Sequence, residues 1–382
     1  MSATGSSAAG PSRGDITLFL GGDVVTARGI DQILPHPSDP ILFEPYLRSA
    51  RGYVELAEAA GASIPRPASF AYVWGDALKI WAQMEPDARI VNLETSISRS
   101  DDYWPGKGVN YRMSPKNIQC LNEAGIDACA VANNHVLDWG YSGLRETLST
   151  LEAAHIKWTG AGRNQLEAAA PCMVTTKNGR RLLLWSFATL SSGVPDLWAA
   201  TQDRPGINVL RDLGKDAAQS VTGVIRAHRP SGDAVVLSIH WGTNWDFTIP
   251  ADQREFAHGL IESGTVDVVH GHSSHHIKGI EVYRGKLILY GCGDLLNDYE
   301  GIRGFEDFRG DLGLMYFPRL APITGELLGL RMFPTRIRDF RVNRATKDDV
   351  TWLKNTLDRE GRPLGTGVTI AEDGSLFLRW DS

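Results

Sequence analysis

Five short apolar runs in this chain of 382 residues each stop at a side chain able to bind a metal ion or carry a proton. "TLFLGG" ends at Asp23, "RIVNL" at Glu94, and "ACAVAN" at Asn134 and His135. "AVVLSI" ends at His240, and "DVVHG" runs into His272, His275 and His276. Each run is short, continuous and apolar, the pattern of a strand buried on both faces. Amphipathic stretches lie between them, among them "YLRSARGYVELAEAAG", "WGYSGLRETLSTLEAAH" and "ADQREFAHGLIESG", and read as helices. Strands alternating with helices predict an α/β fold with helices covering the sheet. In such a sheet function collects at the carboxyl ends of the strands, so the polar groups would meet on one edge.

Taken singly, each group has a plainer explanation. An Asp after a strand ordinarily caps a helix, and an Asn in a turn tolerates left-handed backbone. Five strand ends carrying such groups together point instead to a metal edge. Imidazole suits Zn, Fe, Mn or Ni, and carboxylate or amide oxygen suits Mn, Mg or Ca. His270 and His276 flank the cluster and are expected to be structural.

Other features exclude function classes. A net charge of −6, a pI near 5.9 and no Lys/Arg run longer than two residues argue against a nucleic-acid partner. Cys120, Cys129, Cys172 and Cys292 show no CxxC spacing, so neither a zinc knuckle nor a disulfide scaffold is expected. The opening "MSATGSSAAGPSRGD" lacks the basic and apolar regions of a signal peptide, and residues 1–15 are expected to be a disordered tail. No apolar run approaches the roughly 20 residues that span a bilayer, which predicts a cytoplasmic protein with no membrane contact. Residues 16–382 are expected to form a single domain, with 311–382 a C-terminal strand and helix extension. "GIEVYRGKLILYGCGD" reads as a hairpin turning at Arg284-Gly285.

The segments "GGDVV", "VNLETSIS", "VANNHVLDWG", "SIHWG" and "VDVVHGHSSHHIKGIEVYRGKLILYGCGD" together resemble CapA-like proteins, the poly-γ-glutamate capsule type. That resemblance spans about residues 16 to 310 and implies the calcineurin-like metallophosphoesterase fold: a four-layer α/β sandwich of two mixed sheets flanked by helices. It implies a metal centre at the strand ends, built from Asp23, Glu94, Asn134, His240 and His272. The sequence departs from the metallophosphoesterase pattern at several points. Val25 stands where a His follows the first Asp, Glu94 replaces the metal-bridging Asp, Val136 replaces the acid after Asn-His, and His275 comes one residue late. Two-metal hydrolysis needs both ions close together, so these changes argue against phosphoester cleavage.

Within this family the chain looks most like lasso-peptide epimerases. The resemblance implies a metal-dependent isomerase that inverts the Cα of the C-terminal residue of a ribosomal precursor peptide. His135 and His275 are the expected acid/base pair, with Asp23, Asp138 and Asp294 as catalytic or orienting carboxylates. Arg112 or Lys107 would hold the peptide's carboxylate, with Trp104, Trp139 and Trp241 as an apolar wall. The expected cofactor is a divalent ion, Ca, Mn or Zn. A phosphoesterase or amide hydrolase is the first alternative, and a capsule poly-γ-glutamate biosynthesis protein the second.

Overall fold

Alternate side chains of the strand Ile16–Val24 enter two different cores. Leu18 and Leu20 pack with Leu184, Val236 and Val268, whereas Phe19 points the other way, against Trp81 and Phe317. The period of two along a strand thus places this element between two apolar layers. The computed structural model describes residues 14–381 except 178, 230 and 231. The tail expected at the N-terminus lies, up to residue 13, outside the described residues.

Ile16–Val24, Ala88–Leu93, Ala128–Ala130 and Lys157–Thr159 run parallel in that order in the first sheet. On the other side of Ile16–Val24 the sheet turns antiparallel, through Leu312–Leu320 and Leu327–Arg338 to Leu376–Trp380 and Thr366–Ile370. The C-terminal segment therefore completes the sheet begun by the first strand. The second sheet carries Arg181–Thr189, Ala234–His240, Val268–His272 and Lys286–Leu289 in parallel. Ile280–Tyr283 closes its edge as a hairpin partner of Lys286–Leu289, turning at Arg284-Gly285 as the sequence predicts.

The two sheets face each other across a shared core of Leu18, Leu20, Ile90, Leu184, Val236 and Leu314. Arg51–Ala60, Asp76–Met84 and Gly140–Ala153 cover the outer face of the first sheet. Lys215–His228 and Ala251–Glu262 cover the second, on Val235, Leu237 and Ile239. The result is a mixed α/β fold with mixed sheets between helices, the class expected from the sequence. Among the described residues no helix is long and apolar enough to cross a membrane. All four cysteines are free and buried.

Candidate metal centre

The carboxyl ends of parallel strands from both sheets converge here. Asp23 closes the first strand and stands in register with Asp294 on the short strand Asp294–Leu296. Its Oδ1 accepts from Asn92 Nδ2 at 2.7 Å and its Oδ2 from the Ser273 amide at 3.2 Å. Ser273 holds φ at 104°, a conformation a β-carbon disfavours, and this bend aims the residues after His272 back over the centre. His240 and His272 are register partners on adjacent strands of the second sheet.

The hydrogen bonds assign the imidazole tautomers. Gly21 O can only accept, so His270 Nε2, 2.9 Å away, carries a proton, and His270 Nδ1 accepts from Ser238 Oγ at 3.1 Å. Having given away its one proton, Ser238 Oγ accepts from His272 Nε2 at 2.8 Å. His272 Nδ1 is therefore bare. His240 Nε2 donates to Asn134 Oδ1 at 3.1 Å, which leaves His240 Nδ1 bare as well. The two Nδ1 atoms lie 2.8 Å apart, so two lone pairs face one point. Glu94 adds a second signal. Its Oε1 sits 3.7 Å from His135 Nε2 and 3.8 Å from His240 Nε2, while its buried Oε2 has no partner. A buried carboxylate oxygen with no donor is costly unless a cation meets it. Two donor triples result, Asp23–His240–His272 and Asp23–Glu94–His275, sharing Asp23, with the donor atoms of each within 4.8 Å of one another.

Electrostatics agree with the geometry. Burial, then the nearby Asp294 charge, raises the Asp23 carboxyl to about 7. Burial, then Asp23 and Asp294, holds Glu94 well above the usual range. Burial keeps His240 and His272 far below the ordinary imidazole value, hence neutral and able to donate lone pairs. His275 differs. Burial opposes its charge, but the Asp294 carboxylate 2.9 Å from its Nδ1 prevails and raises its pKa. Asn297 Nδ2 fixes Asp294 in turn, at 2.6 Å.

His135 is placed by a turn of its own. Asn133 Oδ1 accepts from the His135 and Val136 amides at 3.0 and 3.1 Å, and Asn133 Nδ2 donates to Leu93 O at 2.8 Å. Asp138 Oδ2 lies 2.6 Å from His135 Nδ1, and the Tyr111 ring stacks on the imidazole at 3.9 Å. Burial pushes His135 down to about 4, against the pull of Asp138. Lys107 Nζ donates to Asp138 Oδ1 at 2.5 Å and to Asn134 O, and so straps the loop over this turn.

The expected substrate-binding residues are scattered. Arg112 points away from the centre, donating to Ser100 O, Asp101 and Asp39 O and lying over the Trp139 ring. Trp139 is buried, its Nε1 on Tyr111 O, and Trp241 is buried with its Nε1 on Tyr290 O. Trp104 packs edge-on against Tyr141 and Trp198. Asn92, Asn133 and Asn297 are site residues that the sequence reading does not include. Asn92 was detectable, because a polar residue inside the apolar run "RIVNL" must find a buried partner.

The family described as bacterial capsule synthesis protein PGA_cap matches residues 17–299. A probable polyglutamine synthesis accessory protein of Mycobacterium tuberculosis is 45% identical over 362 residues, 94% of this chain and 95% of that one. The PGA biosynthesis protein CapA of Bacillus subtilis is 26% identical over 208 residues, covering 54% and 52%. The capsule biosynthesis protein CapA of Bacillus anthracis is 25% identical over 197 residues, covering 50% and 45%. These names correct the expectation of a metal-dependent isomerase with a hydrolase as runner-up. A relative alike along nearly the whole chain is named a synthesis accessory protein, and the others capsule or PGA biosynthesis proteins. The similarity to lasso-peptide epimerases finds no support among them.

Proposed function

The chain belongs to the bacterial capsule synthesis protein family PGA_cap, and we propose that it is an accessory protein in the making of a glutamyl capsule polymer, with the buried carboxylate–imidazole cluster as its divalent-metal centre. The observation that carries the metal is the pair of bare Nδ1 atoms of His240 and His272 facing each other beside Asp23. Asp23, Glu94, His240, His272 and His275 would hold the ion. Three imidazoles beside two carboxylates suit Mn or Zn better than Ca, which prefers an all-oxygen shell. A bound ion there supplies positive charge for a polymer carboxylate or amide oxygen. His135, fixed by Asp138 and covered by Tyr111, stands 3.7 Å from Glu94 Oε1, and Lys107 straps the loop beside it.

The test is a deletion of the coding sequence in a bacterium that carries it. Cell-associated polymer is then measured as glutamate released by acid hydrolysis. Loss of polymer, restored by the wild-type chain and not by His240→Ala or His272→Ala, is the expected result. Unchanged polymer in the deletion strain would sink the proposal.

A further inference from the structure

A cavity of about 340 Å³ adjoins the metal centre on the His275 side. Three residues join the two. The Trp245 ring lies 5.4 Å from the His275 ring, Tyr299 Oη lies 3.5 Å from His275 Nε2, and Asn297 holds Asp294. All three also line the cavity. Its volume falls within the range of small-ligand sites, about 300–1,000 Å³.

One wall is an apolar shelf. Trp245 and Phe305 stack face to face, centroids 4.5 Å apart, with Phe308 at 5.8 Å from Trp245. Phe305 is 45% exposed, so the shelf presents an open aromatic face. The acids of the cavity already have partners. Asp311 is bound by Arg309 through two hydrogen bonds and by Arg336, Glu300 accepts the Asp339 and Phe340 amides, and Glu306 accepts the Gly304 amide. Arg338 stands exposed at the rim, and Arg303 is exposed on the loop that carries Phe305. The surroundings thus offer a flat apolar surface with guanidinium charge at its edge.

We propose that this cavity seats the segment of a glutamyl oligomer next to the metal centre, with its methylenes on the Trp245–Phe305 shelf and its carboxylates on Arg338. The glutamyl ligand rests on the function proposed above. The combination fits the chemistry, since each glutamyl unit pairs an apolar two-carbon arm with an anionic carboxylate that guanidinium binds well.

The test is calorimetric titration of tetra-γ-L-glutamate into the full chain loaded with Mn²⁺. Phe305→Ala and Arg338→Glu, both at exposed positions, are compared with wild type at equal thermal stability. Each variant is expected to weaken oligomer binding about tenfold or more while leaving Mn²⁺ affinity unchanged. Oligomer binding that neither substitution weakens would overturn the cavity assignment, as would a wild-type chain that binds no oligomer. Neither result touches the accessory role, which stands or falls on polymer yield in the deletion strain.

Discussion

His240 and His272 sit opposite each other on adjacent parallel strands, and their Nδ1 atoms approach to 2.8 Å with no proton between them by the tautomer assignment. Lone pairs that close repel unless a cation lies beside them. The purified protein is therefore expected to retain Mn or Zn through dialysis. Its unfolding temperature should fall with chelator and recover on adding metal. Metal present at about a hundred times Kd would stabilise the fold by about 2.7 kcal/mol. Elemental analysis of His240→Ala and His272→Ala should show the metal lost from both. Full retention by either variant would remove that residue from the ligand set.

Asp294 pairs with His275 Nδ1 at 2.9 Å and so orients that imidazole. Asp294→Asn keeps a hydrogen-bond acceptor 2.9 Å from Nδ1 and deletes the charge that favours the imidazolium. Partners that orient a ligating histidine typically govern about 10–100-fold in metal affinity. A loss of that size, measured by competition with a chelator of known affinity, is expected for Asp294→Asn. An affinity equal to wild type would confine Asp294 to packing.

The strand-end residues were legible because five strand ends carry such groups together, which the capping or turn role open to any one of them does not explain. Asp23, Glu94, His240, His272 and His275 arrive as two donor triples that share Asp23. The expected substrate-binding residues do not converge on one surface, for a reason of geometry. Tyr111 and Arg112 are neighbours in extended backbone and so face opposite ways. Tyr111 stacks on His135, and Arg112 lies over Trp139 on the far side. Tryptophan is harder still. Trp139, Trp241 and Trp245 all follow motif residues, yet two are buried with their N–H groups on backbone carbonyls, whereas Trp245 lines the cavity beside His275. Indoles serve core and surface equally, and local sequence does not separate the two.

Arg28 anchors the tyrosines beside the centre. Its guanidinium donates to Asp298 Oδ2 at 3.1 Å and Oδ1 at 2.5 Å, to Glu44 Oε1 at 3.3 Å and to Tyr53 Oη at 2.9 Å, and lies 4.7 Å from the Tyr111 ring centre. All three charged groups are buried, so removing the cation alone strands two carboxylates. Arg28→Met should cost about 3–5 kcal/mol, read from denaturant midpoints. Arg28→Met combined with Glu44→Gln and Asp298→Asn should recover most of that, because no unpaired charge remains. A single Arg28→Met variant as stable as wild type would show that the network contributes nothing.

Far from the metal centre, Glu281 offers a test of pH dependence. Burial works against its ionisation. Hydrogen bonds from Tyr290 Oη at 2.6 Å, Arg254 Nη2 at 2.9 Å and His258 Nε2 at 3.0 Å outweigh burial and hold the carboxyl below its usual range. The sign follows from linkage. A group whose folded pKa is depressed stabilises the fold above its unfolded value, about 4.3 for glutamate, and that stabilisation fades as pH falls through the folded value. Urea midpoints of wild type and Glu281→Gln should therefore differ most near neutral pH and converge below about pH 4. Divergence on acidification would mean that the folded state favours the protonated acid, and that burial rather than the three donors governs this carboxylate.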